Sequence, residues 1–447
     1  MSHILELPGL QKLKSWTFCF IVTVSYVMLL WTFRPGWILR LRSPTAPPSA
    51  QPTETPTVTA GLTGQLKRVH DAMQGVAVGR VRVIAIVFRG EKVDLSCHLL
   101  CLRQMHVSMA TVSLHSDHFG FPYSTADIMC SVPPGCGAPN YVTITSTAID
   151  KKVDLEFLEV KNQKAKSHSF LYNVTSCFST MYNFTNVLQL VQSLEMLQLL
   201  GVNKVAVYKT NCSADVQRVL DYYTRKGLVV VVPWSLSKYL NVSRRAKPDQ
   251  DPGDIHYFGQ IPALNDCLYR SMYRSKYVAL HDPDELILPQ TVGSWLKLLE
   301  QLERKFGAER CYMFQNNWVP SEFFLTPPAP KTLPQQDQWQ NVSGINILAH
   351  LYSEPIKPPF GYRNFKTIVN PRGMFAVTVH GVLRAKRVCV WVDRKLARMY
   401  HIKSRGPTEL KPKQMIYDGR LLNYSARLSS AVNTVLGETG LLPGNSL

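Results

Sequence analysis

Acidic residues are few in this sequence: 31 Asp and Glu stand against 50 Lys and Arg, which gives a formal net charge of +19. A charge of this size first suggests a nucleic-acid partner. However, the basic residues are scattered, and the chain has no RNA- or DNA-binding motif. We therefore predict no nucleic-acid partner. A basic surface instead favours a nucleotide diphosphate, an anionic membrane or acidic glycans, although a merely solvated basic face would look the same.

Long apolar runs are also few. Residues 16–33 form a charge-free run that is about long enough to span a bilayer. No small-x-small cleavage site closes this run cleanly, which favours a membrane anchor over a cleaved signal peptide. The flanking charges do not orient the anchor, because Lys12 and Lys14 precede it while Arg34 and Arg40 follow it.

Glycosylation motifs orient the chain instead. Six N-x-S/T sequons follow the apolar run, at Asn173, Asn183, Asn211, Asn241, Asn341 and Asn423. Their number favours a lumenal C-terminal part. We therefore predict a single-pass type II protein with a cytoplasmic tail over residues 1–15 and an anchor over residues 16–33.

Cysteine usage is consistent with an oxidising compartment. Of the ten cysteines, Cys19 lies in the predicted anchor and nine follow it, so at least one is free or pairs between chains. The spacings Cys97-x₃-Cys101 and Cys130-x₅-Cys136 could also ligate zinc. A lumenal location favours disulfides over zinc. The spacing does not reveal which cysteines pair.

Composition divides the remainder of the chain into three parts. Residues 34–65 are rich in Pro, Thr and Ser, which predicts an extended stem. Residues 66–165 alternate short β-rich runs with turns, which predicts a small β-rich lead-in module. Residues 166–447 form the third part, and there the pattern changes to alternating β and α elements.

The third part predicts an α/β fold. Helices are expected over Thr185–Leu200 and Asp215–Lys226, and strands over Lys204–Tyr208 and Leu228–Val232. This alternation is typical of a mostly parallel sheet with helices on both faces. Ligands of such sheets bind beyond the carboxyl ends of the strands.

An acidic motif follows an apolar run in YVALHDPDELILP, residues 277–289. Asp282 and Asp284 would share one face of a strand and could converge on one ion, whereas Glu285 would point to the opposite face and orient the turn. Pro283 lacks an N–H, so the strand should end here or run along an edge. Such oxygen ligands suit Mg²⁺ or Mn²⁺ carrying a phosphate. A polar turn without a metal is the alternative.

The surroundings of this motif resemble glycosyltransferase family 92. A helix expected over Ala263–Arg274 carries NDCLYR, and the acidic motif supplies D-x-D-E. Residues 364–380, NFKTIVNPRGMFAVTVH, are similar to the family's K-x-I-V-x-P…H stretch. Leu286 stands where the family usually has Phe. The resemblance spans roughly Ser167 to Ser404.

The resemblance implies a fold and an activity. The fold would be GT-A-like, and the enzyme an inverting, metal-dependent galactosyltransferase using Mn²⁺ or Mg²⁺. UDP-galactose would be the donor, and galactose or fucose of an N-glycan on a glycoprotein would be the acceptor, in β-1,4 linkage. Together with the predicted anchor, this places the protein in the Golgi membrane with a lumenal catalytic domain.

The resemblance also implies candidate metal ligands. Asp284 is the first candidate for a direct ligand, and Asp282 would bind the ion or the nucleotide ribose. Enzymes of the GT-A fold often complete the metal shell with a late histidine. His401 is the first candidate because its segment resembles the family's H-Y-R, although Ile402 stands where Tyr is usual. His380 is the second candidate.

Three further roles are assigned to residues of the same domain. Lys366 and Arg363 could contact the diphosphate through charge-assisted bonds, although Lys366 could also be an ordinary surface lysine. Inversion needs a base that deprotonates the acceptor hydroxyl. Glu322 is the first candidate for this base and Glu354 the second. Trp318 could stack on a sugar ring.

Two other functions are compatible with the sequence. Paired carboxylates also serve glycoside hydrolases, but there they act several ångströms apart and rarely lie two residues apart on one strand. A non-catalytic lumenal glycan-binding protein could retain the fold. The sequence leaves open the acceptor, the donor sugar and whether the protein forms a homodimer.

Overall fold

A computed structural model describes residues 64–70, 77–90, 92, 94–146, 157–161, 169–322, 324, 326–328, 337–356, 364–404 and 410–442. The predicted tail, anchor and almost all of the predicted stem lie outside these residues. Among the residues described, no helix is both long and apolar enough to cross a bilayer.

The β-rich part forms a closed barrel. Its strands are β1 (Gly64–His70), β2 (Ala77–Phe88), β3 (Leu95–Cys101), β4 (Gln104–Leu114), β5 (Tyr123–Ser131), β6 (Tyr141–Ser146) and β7 (Leu158–Lys161). The order around the barrel is β1-β2-β5-β4-β3-β6-β7, and β7 closes it by pairing parallel to β1. The other neighbouring strands are antiparallel.

The rest of the described chain contributes the strands β8 (Tyr172–Met181), β9 (Lys204–Lys209), β10 (Val229–Pro233), β11 (Ser275–Leu280), β12 (Glu285–Pro289), β13 (Cys311–Phe314), β14 (Asn316–Pro320), β15 (Tyr352–Ser353), β16 (Lys366–Val369), β17 (Met374–Thr378), β18 (Gly381–Ala385), β19 (Val390–Trp391), β20 (Ala397–Lys403) and β21 (Ile416–Tyr417). Seven of them form the main sheet in the order β10-β9-β8-β11-β16-β13-β19. A smaller sheet has the order β12-β20-β14.

The main sheet is mixed: six of its seven strands run in one direction, and β16 alone runs against them. Strands β10, β9, β8 and β11 run parallel to one another. Strand β16 is antiparallel to both β11 and β13, while β19 is parallel to β13. Only the first half of the sheet therefore follows the βαβ pattern that alternation predicts.

Five helices are described: α1 (Val187–Leu199), α2 (Ala214–Arg225), α3 (Gln260–Ser271), α4 (Trp295–Phe306) and α5 (Ser425–Glu438). The first two lie within two residues of their predicted bounds, and α3 begins and ends three residues earlier than predicted. Ser213 caps α2 by accepting a hydrogen bond from the Val216 N–H. Gly227 follows that helix at φ +78°, which is the left-handed conformation expected of a glycine after a helix end.

The main sheet separates two apolar cores. Successive residues of β9 alternate between them, because side chains of a strand point to opposite faces. Val205 and Val207 join the core that contains α1, α2 and α4, whereas Ala206 and Tyr208 join the core that contains α3. Residues of the barrel, including Val81, belong to the second core, so the barrel packs against the α3 side of the sheet.

Eight cysteines pair within the described chain: Cys97–Cys130, Cys101–Cys136, Cys177–Cys267 and Cys311–Cys389. The alternative of zinc ligation at the first four is therefore wrong. Cys212 is free, in agreement with the odd number of cysteines after the apolar run.

Candidate functional site

The acidic motif lies in the turn that follows β11, at the carboxyl end of this central strand of the main sheet. Strand β11 ends at Leu280 and β12 begins at Glu285, so Asp282 and Asp284 precede the new strand and do not alternate along one. Asp282 and Asp284 do converge, but the prediction that strand alternation brings them together is wrong. The turn brings carboxylate oxygens of Asp282, Asp284 and Glu285 within 4.8 Å of one another.

Glu285 faces this cluster, so its predicted position on the opposite face is wrong. The chain reverses through the turn, and the Asp282 N–H donates to Glu285 Oε2 at 2.8 Å. The prediction that Glu285 orients the turn through a backbone N–H is therefore confirmed. Burial, opposed by Lys366 and reinforced by Asp282, raises the pKa of Glu285 to about 7.

Asp282 is held at both carboxylate oxygens. Ser179 Oγ donates to Oδ1 at 2.7 Å, and Lys366 Nζ donates to Oδ2 at 2.8 Å. Ser179 lies at an irregularity in the pairing of β8 with β9, and it accepts a hydrogen bond from Gln260 Nε2 at 2.6 Å. Burial would raise the pKa of Asp282, but the charge and hydrogen bond of Lys366 outweigh it and hold the pKa well below its usual range.

Lys366 is a buried counter-ion and not a surface lysine. Its side chain is 3 % exposed, and Nζ lies 3.3 Å from Glu285 Oε2 in addition to its bond with Asp282. Burial alone would lower its pKa, whereas these two carboxylates raise it above the usual value. The lysine therefore stays charged and neutralises part of the acidic cluster.

The small sheet brings the side chains of Trp318 and His401 next to Glu285. Glu285 on β12 and Trp318 on β14 are both paired with His401 on the central strand β20. The Trp318 and His401 rings stack with centroids 4.2 Å apart. His401 Nε2 lies 3.2 Å from Asp284 Oδ2, and Nδ1 lies 3.5 Å from Glu285 Oε1. Burial lowers the pKa of His401, but the two acids more than compensate and raise it.

Asp284 is the acid of the cluster best placed to bind a cation. Burial raises its pKa, but the hydrogen bond and charge of His401 prevail and lower it, so the group is ionised. Asp282 and Glu285 already bond to Lys366, whereas Asp284 contacts His401 and, at 3.7 Å, Lys403 Nζ. Oxygen donors with one imidazole fit a small divalent ion. Asp284 and His401 would hold it, with Asp282 and Glu285 beside them.

A cavity of about 190 Å³ opens beside the acids. Its wall includes the end of β8, the acidic turn and β20, with the side chains Ser179, Tyr182, Phe184, Tyr257, Phe258, Gln260, Asp282, Asp284, His401 and Lys403. The cavity therefore lies beyond the carboxyl ends of β8 and β11, as the sequence predicts for a ligand site. Its lining joins aromatic surface to charged groups of both signs.

A strained segment leads from this cavity into α3. Tyr257, Phe258 and Gly259 have φ values of +33°, +53° and +67°, a region that L residues rarely occupy. A Cβ at residue 259 would lie 2.3 Å from Leu236 Cδ1, so a side chain there would displace Leu236 in addition to straining the backbone. Phe258 is held by stacking on Tyr182, with ring centroids 3.8 Å apart. Strain of this kind is often retained at ligand sites.

Three other predicted site residues are not part of the cavity lining that the structure describes. Arg363 lies outside the described residues. The described lining of the cavity includes neither His380, whose Nδ1 lies 3.4 Å from the Phe365 carbonyl oxygen, nor Glu322. Glu322 is exposed, and its Oε1 accepts a hydrogen bond from Ser404 Oγ at 2.6 Å.

Glu354, the second candidate for the base, is half-buried. Its backbone N–H donates to the Trp318 carbonyl oxygen at 2.8 Å.

The NDCLYR motif supports the fold of the site and does not enter the cavity. The Asn265 side-chain amide pairs with the backbone of Val377 through bonds of 2.8 and 3.0 Å. Asp266 is fully buried and accepts hydrogen bonds from Tyr208 Oη at 2.6 Å and Arg270 Nε at 2.5 Å. These contacts fix α3, and with it Gln260, against the main sheet.

The polar lining residues Ser179, Tyr257, Gln260 and Lys403 were not predicted from the sequence. Ser179 and Gln260 reach the acids from segments far away in the chain, which no local pattern indicates. The sequence could have indicated Lys403, because it lies two residues after His401 on the same strand and therefore faces the same side.

The fold and the site together define a mixed α/β protein with a candidate divalent-cation site at an aromatic-lined cavity. The sequence model of glycosyltransferase family 92 matches residues 172–421, which is more than half of the chain. The chain belongs to this family, which supports glycosyltransferase activity. The matched region contains all the acids of the site.

Two curated relatives from Caenorhabditis elegans were found. A glycosyltransferase family 92 protein is 27 % identical over 123 residues, covering 27 % of this chain and 24 % of the relative. The β-1,4-galactosyltransferase galt-1 is 20 % identical over 222 residues, covering 47 % of this chain and 48 % of the relative. The matches thus span half or less of these relatives' lengths.

Among solved structures, apo UDP-glucose pyrophosphorylase is similar at a TM-score of 0.24 with 8 % identity, covering 60 % of this chain and 99 % of that one.

Proposed function

We propose that this protein is an inverting, metal-dependent galactosyltransferase of GT-A-like fold. It would transfer galactose from UDP-galactose to a terminal galactose or fucose of N-glycans in β-1,4 linkage. The observation that carries the proposal is the cluster of Asp282, Asp284 and Glu285 beside a cavity in a family 92 domain. One relative is a β-1,4-galactosyltransferase, which supports the choice of sugar and linkage.

The proposed roles follow from the contacts. A bound Mn²⁺ or Mg²⁺ would act as a Lewis acid for the leaving diphosphate. Asp284 and His401 would hold that ion, because Lys366 already engages the other two acids. Ser179 and Lys366 fix the Asp282 carboxylate, and the stacked Trp318 fixes the His401 ring.

The acceptor hydroxyl must lose its proton to a carboxylate during an inverting transfer. We keep Glu322 as the proposed base. It follows β14, the strand that carries Trp318, and its exposed carboxylate is accessible to a large glycan acceptor. Its hydrogen bond with Ser404 joins it to the segment that follows β20 and so to the His401 side of the site.

We further propose a lumenal location in the Golgi membrane, with residues 16–33 as the anchor. All six sequon asparagines lie on the surface of the described chain, which supports their access to glycosylation: Asn173, Asn183, Asn211, Asn241, Asn341 and Asn423. Eight cysteines in disulfides support an oxidising compartment.

A non-catalytic glycan-binding protein is the second candidate. The buried Lys366 favours it, because this cation neutralises two of the three acids without any metal. Turnover distinguishes the two candidates, since a binding protein would release no UDP from any UDP-sugar.

The test offers several UDP-sugars, with Mn²⁺, to the full-length protein in detergent together with galactose- or fucose-ended acceptors. We expect UDP-galactose to be preferred, and the anomeric proton coupling of the product in NMR to report a β linkage. Preference for another donor would refute the galactose assignment. An α product would refute inversion and with it the role of Glu322. If no donor were turned over, the transferase proposal would be refuted and the glycan-binding alternative would be favoured.

A further inference from the structure

Three basic side chains lie at the acidic cluster, and they differ in exposure. The side chain of Lys366 is 3 % exposed, that of His401 is 10 % exposed and that of Lys403 is 52 % exposed. A ligand entering from the cavity can therefore approach Lys403 far more easily than Lys366.

The two less exposed basic side chains, Lys366 and His401, already contact acidic groups of the protein. Lys366 Nζ bonds to Asp282 at 2.8 Å and contacts Glu285 at 3.3 Å. His401 contacts Asp284 and Glu285 through its two ring nitrogens and is stacked against Trp318. A ligand anion would have to break buried ion pairs to reach Lys366, which costs several kcal/mol.

Lys403 is held much more loosely. Its Nζ lies 3.7 Å from Asp284 Oδ2, which is longer than a hydrogen bond. The lysine is the last residue of β20, and its side chain forms part of the cavity wall together with Asp284 and Tyr257. A protonated amine with three donors and a mobile stem suits a phosphate as a point charge.

The size of the cavity indicates which part of a ligand lies near Lys403. Pockets that enclose a whole small molecule typically measure about 300–1,000 Å³. The cavity here measures about 190 Å³, so it encloses part of a nucleotide and leaves the rest at its mouth. Its aromatic side chains suit a base or ribose, whereas the acids with Lys403 suit the diphosphate.

We propose that Lys403 binds the phosphates of a nucleoside diphosphate in this cavity, in place of the predicted contact Lys366. This inference rests on the proposed transferase function and adds to it a phosphate-binding residue. Removal of Lys403 should weaken binding of the diphosphate without weakening binding of the nucleoside.

The experiment measures UDP binding to the full-length protein by calorimetry, once with Mn²⁺ and once with EDTA. Uridine binding is measured in parallel by saturation-transfer NMR. The variants are Lys403→Met, which removes the charge, and Lys403→Arg, which keeps it. Lys386→Met is the matched control, because that lysine is also half-exposed (47 %) and loosely paired, with Glu309 at 3.8 Å.

We expect Lys403→Met to weaken UDP binding by about 10-fold or more in both conditions, as loss of a charge-assisted bond predicts. Uridine binding should not change, Lys403→Arg should retain most of the UDP affinity, and Lys386→Met should bind as the unmodified protein does. Because Lys403 is exposed, the substitution should leave folding intact, and circular dichroism checks this.

Unchanged UDP binding in Lys403→Met would overturn the inference and leave the proposed function standing. Equal loss of UDP and uridine binding would also overturn it, since that pattern indicates a distorted cavity. If the unmodified protein bound neither UDP nor uridine and transferred no sugar, both the inference and the proposed function would fall together.

Discussion

Lys366 Nζ donates a 2.8 Å hydrogen bond to Asp282 Oδ2, joining two residues that are 84 positions apart in the chain. The antiparallel strand β16 makes this contact possible, because it lies next to β11 and begins at Lys366, beside the acidic turn. The same amine lies 3.3 Å from Glu285, so one buried cation supports the buried Glu285 and the half-buried Asp282. Lys366 thus stabilises the acidic cluster through contacts within the protein.

Replacing this cation should therefore destabilise the fold. In Lys366→Met, two acids would lose a buried partner, and breaking such a pair costs about 3–5 kcal/mol. We expect a loss near the lower end at neutral pH, because Glu285, with a pKa of about 7, can take up a proton. Urea unfolding followed by circular dichroism measures the loss.

A double variant isolates the ion pair itself. Lys366→Met combined with Asp282→Asn should lose less stability than the sum of the two single changes, since residues in direct contact are coupled. Lys386→Met, which breaks a half-exposed pair with Glu309, serves as the control and should change the free energy of unfolding by no more than about 0.5 kcal/mol. Additive losses would show that Lys366 and Asp282 are not coupled.

The disulfide Cys177–Cys267 should be important for stability. It ties β8, which supplies Ser179, to α3, which supplies Gln260. Replacing both cysteines by serine should lower the free energy of unfolding by about 2–5 kcal/mol. Cys212→Ser is the control, because that thiol is free. Equal thermal unfolding of the two variants would contradict the pairing.

Acid should destabilise the protein through buried histidines. Burial lowers the pKa of His256 to about 4, whereas an unfolded histidine has a pKa near 6.5. Between these values the unfolded chain binds a proton that the folded chain does not. The free energy of unfolding therefore falls as the pH falls from about 6.5 to about 4, by up to about 3 kcal/mol for this group.

His256→Phe removes this proton uptake and keeps an aromatic ring against Phe119, whose ring centroid lies 4.3 Å from that of His256. We expect a shallower loss of stability between pH 7 and pH 5 than in the unmodified protein. Urea titrations at both pH values measure the difference. Identical slopes in the two proteins would refute the assignment to His256.

The sequence predicts those features that depend on local patterns. Apolar periodicity and caps place α1 and α2 within two residues of their true ends, and an acidic turn after a buried strand marks the candidate site. His401 could be named because a resemblance supplied it. These predictions concern residues close together in the chain or joined by a motif.

Other features depend on contacts between distant segments, which local patterns do not encode. The position of Glu285 beside Asp282 follows from the turn at Pro283 and Asp284, and no periodicity reveals where a strand reverses. The burial of Lys366 depends on where β16 joins the sheet. An antiparallel strand inserted between β11 and β13 leaves no signal in the alternation of β and α elements.

The most direct test of the account is galactose transfer by the full-length protein and by Asp284→Asn. The unmodified protein should transfer galactose from UDP-galactose with Mn²⁺ and lose activity in EDTA. Asp284→Asn keeps the shape of the side chain but removes its charge, and its rate should fall by about 10² or more, on the order of 3 kcal/mol. The exposed Asp249→Asn serves as the control and should keep full activity. Full, EDTA-insensitive transfer by a folded Asp284→Asn protein would contradict the account.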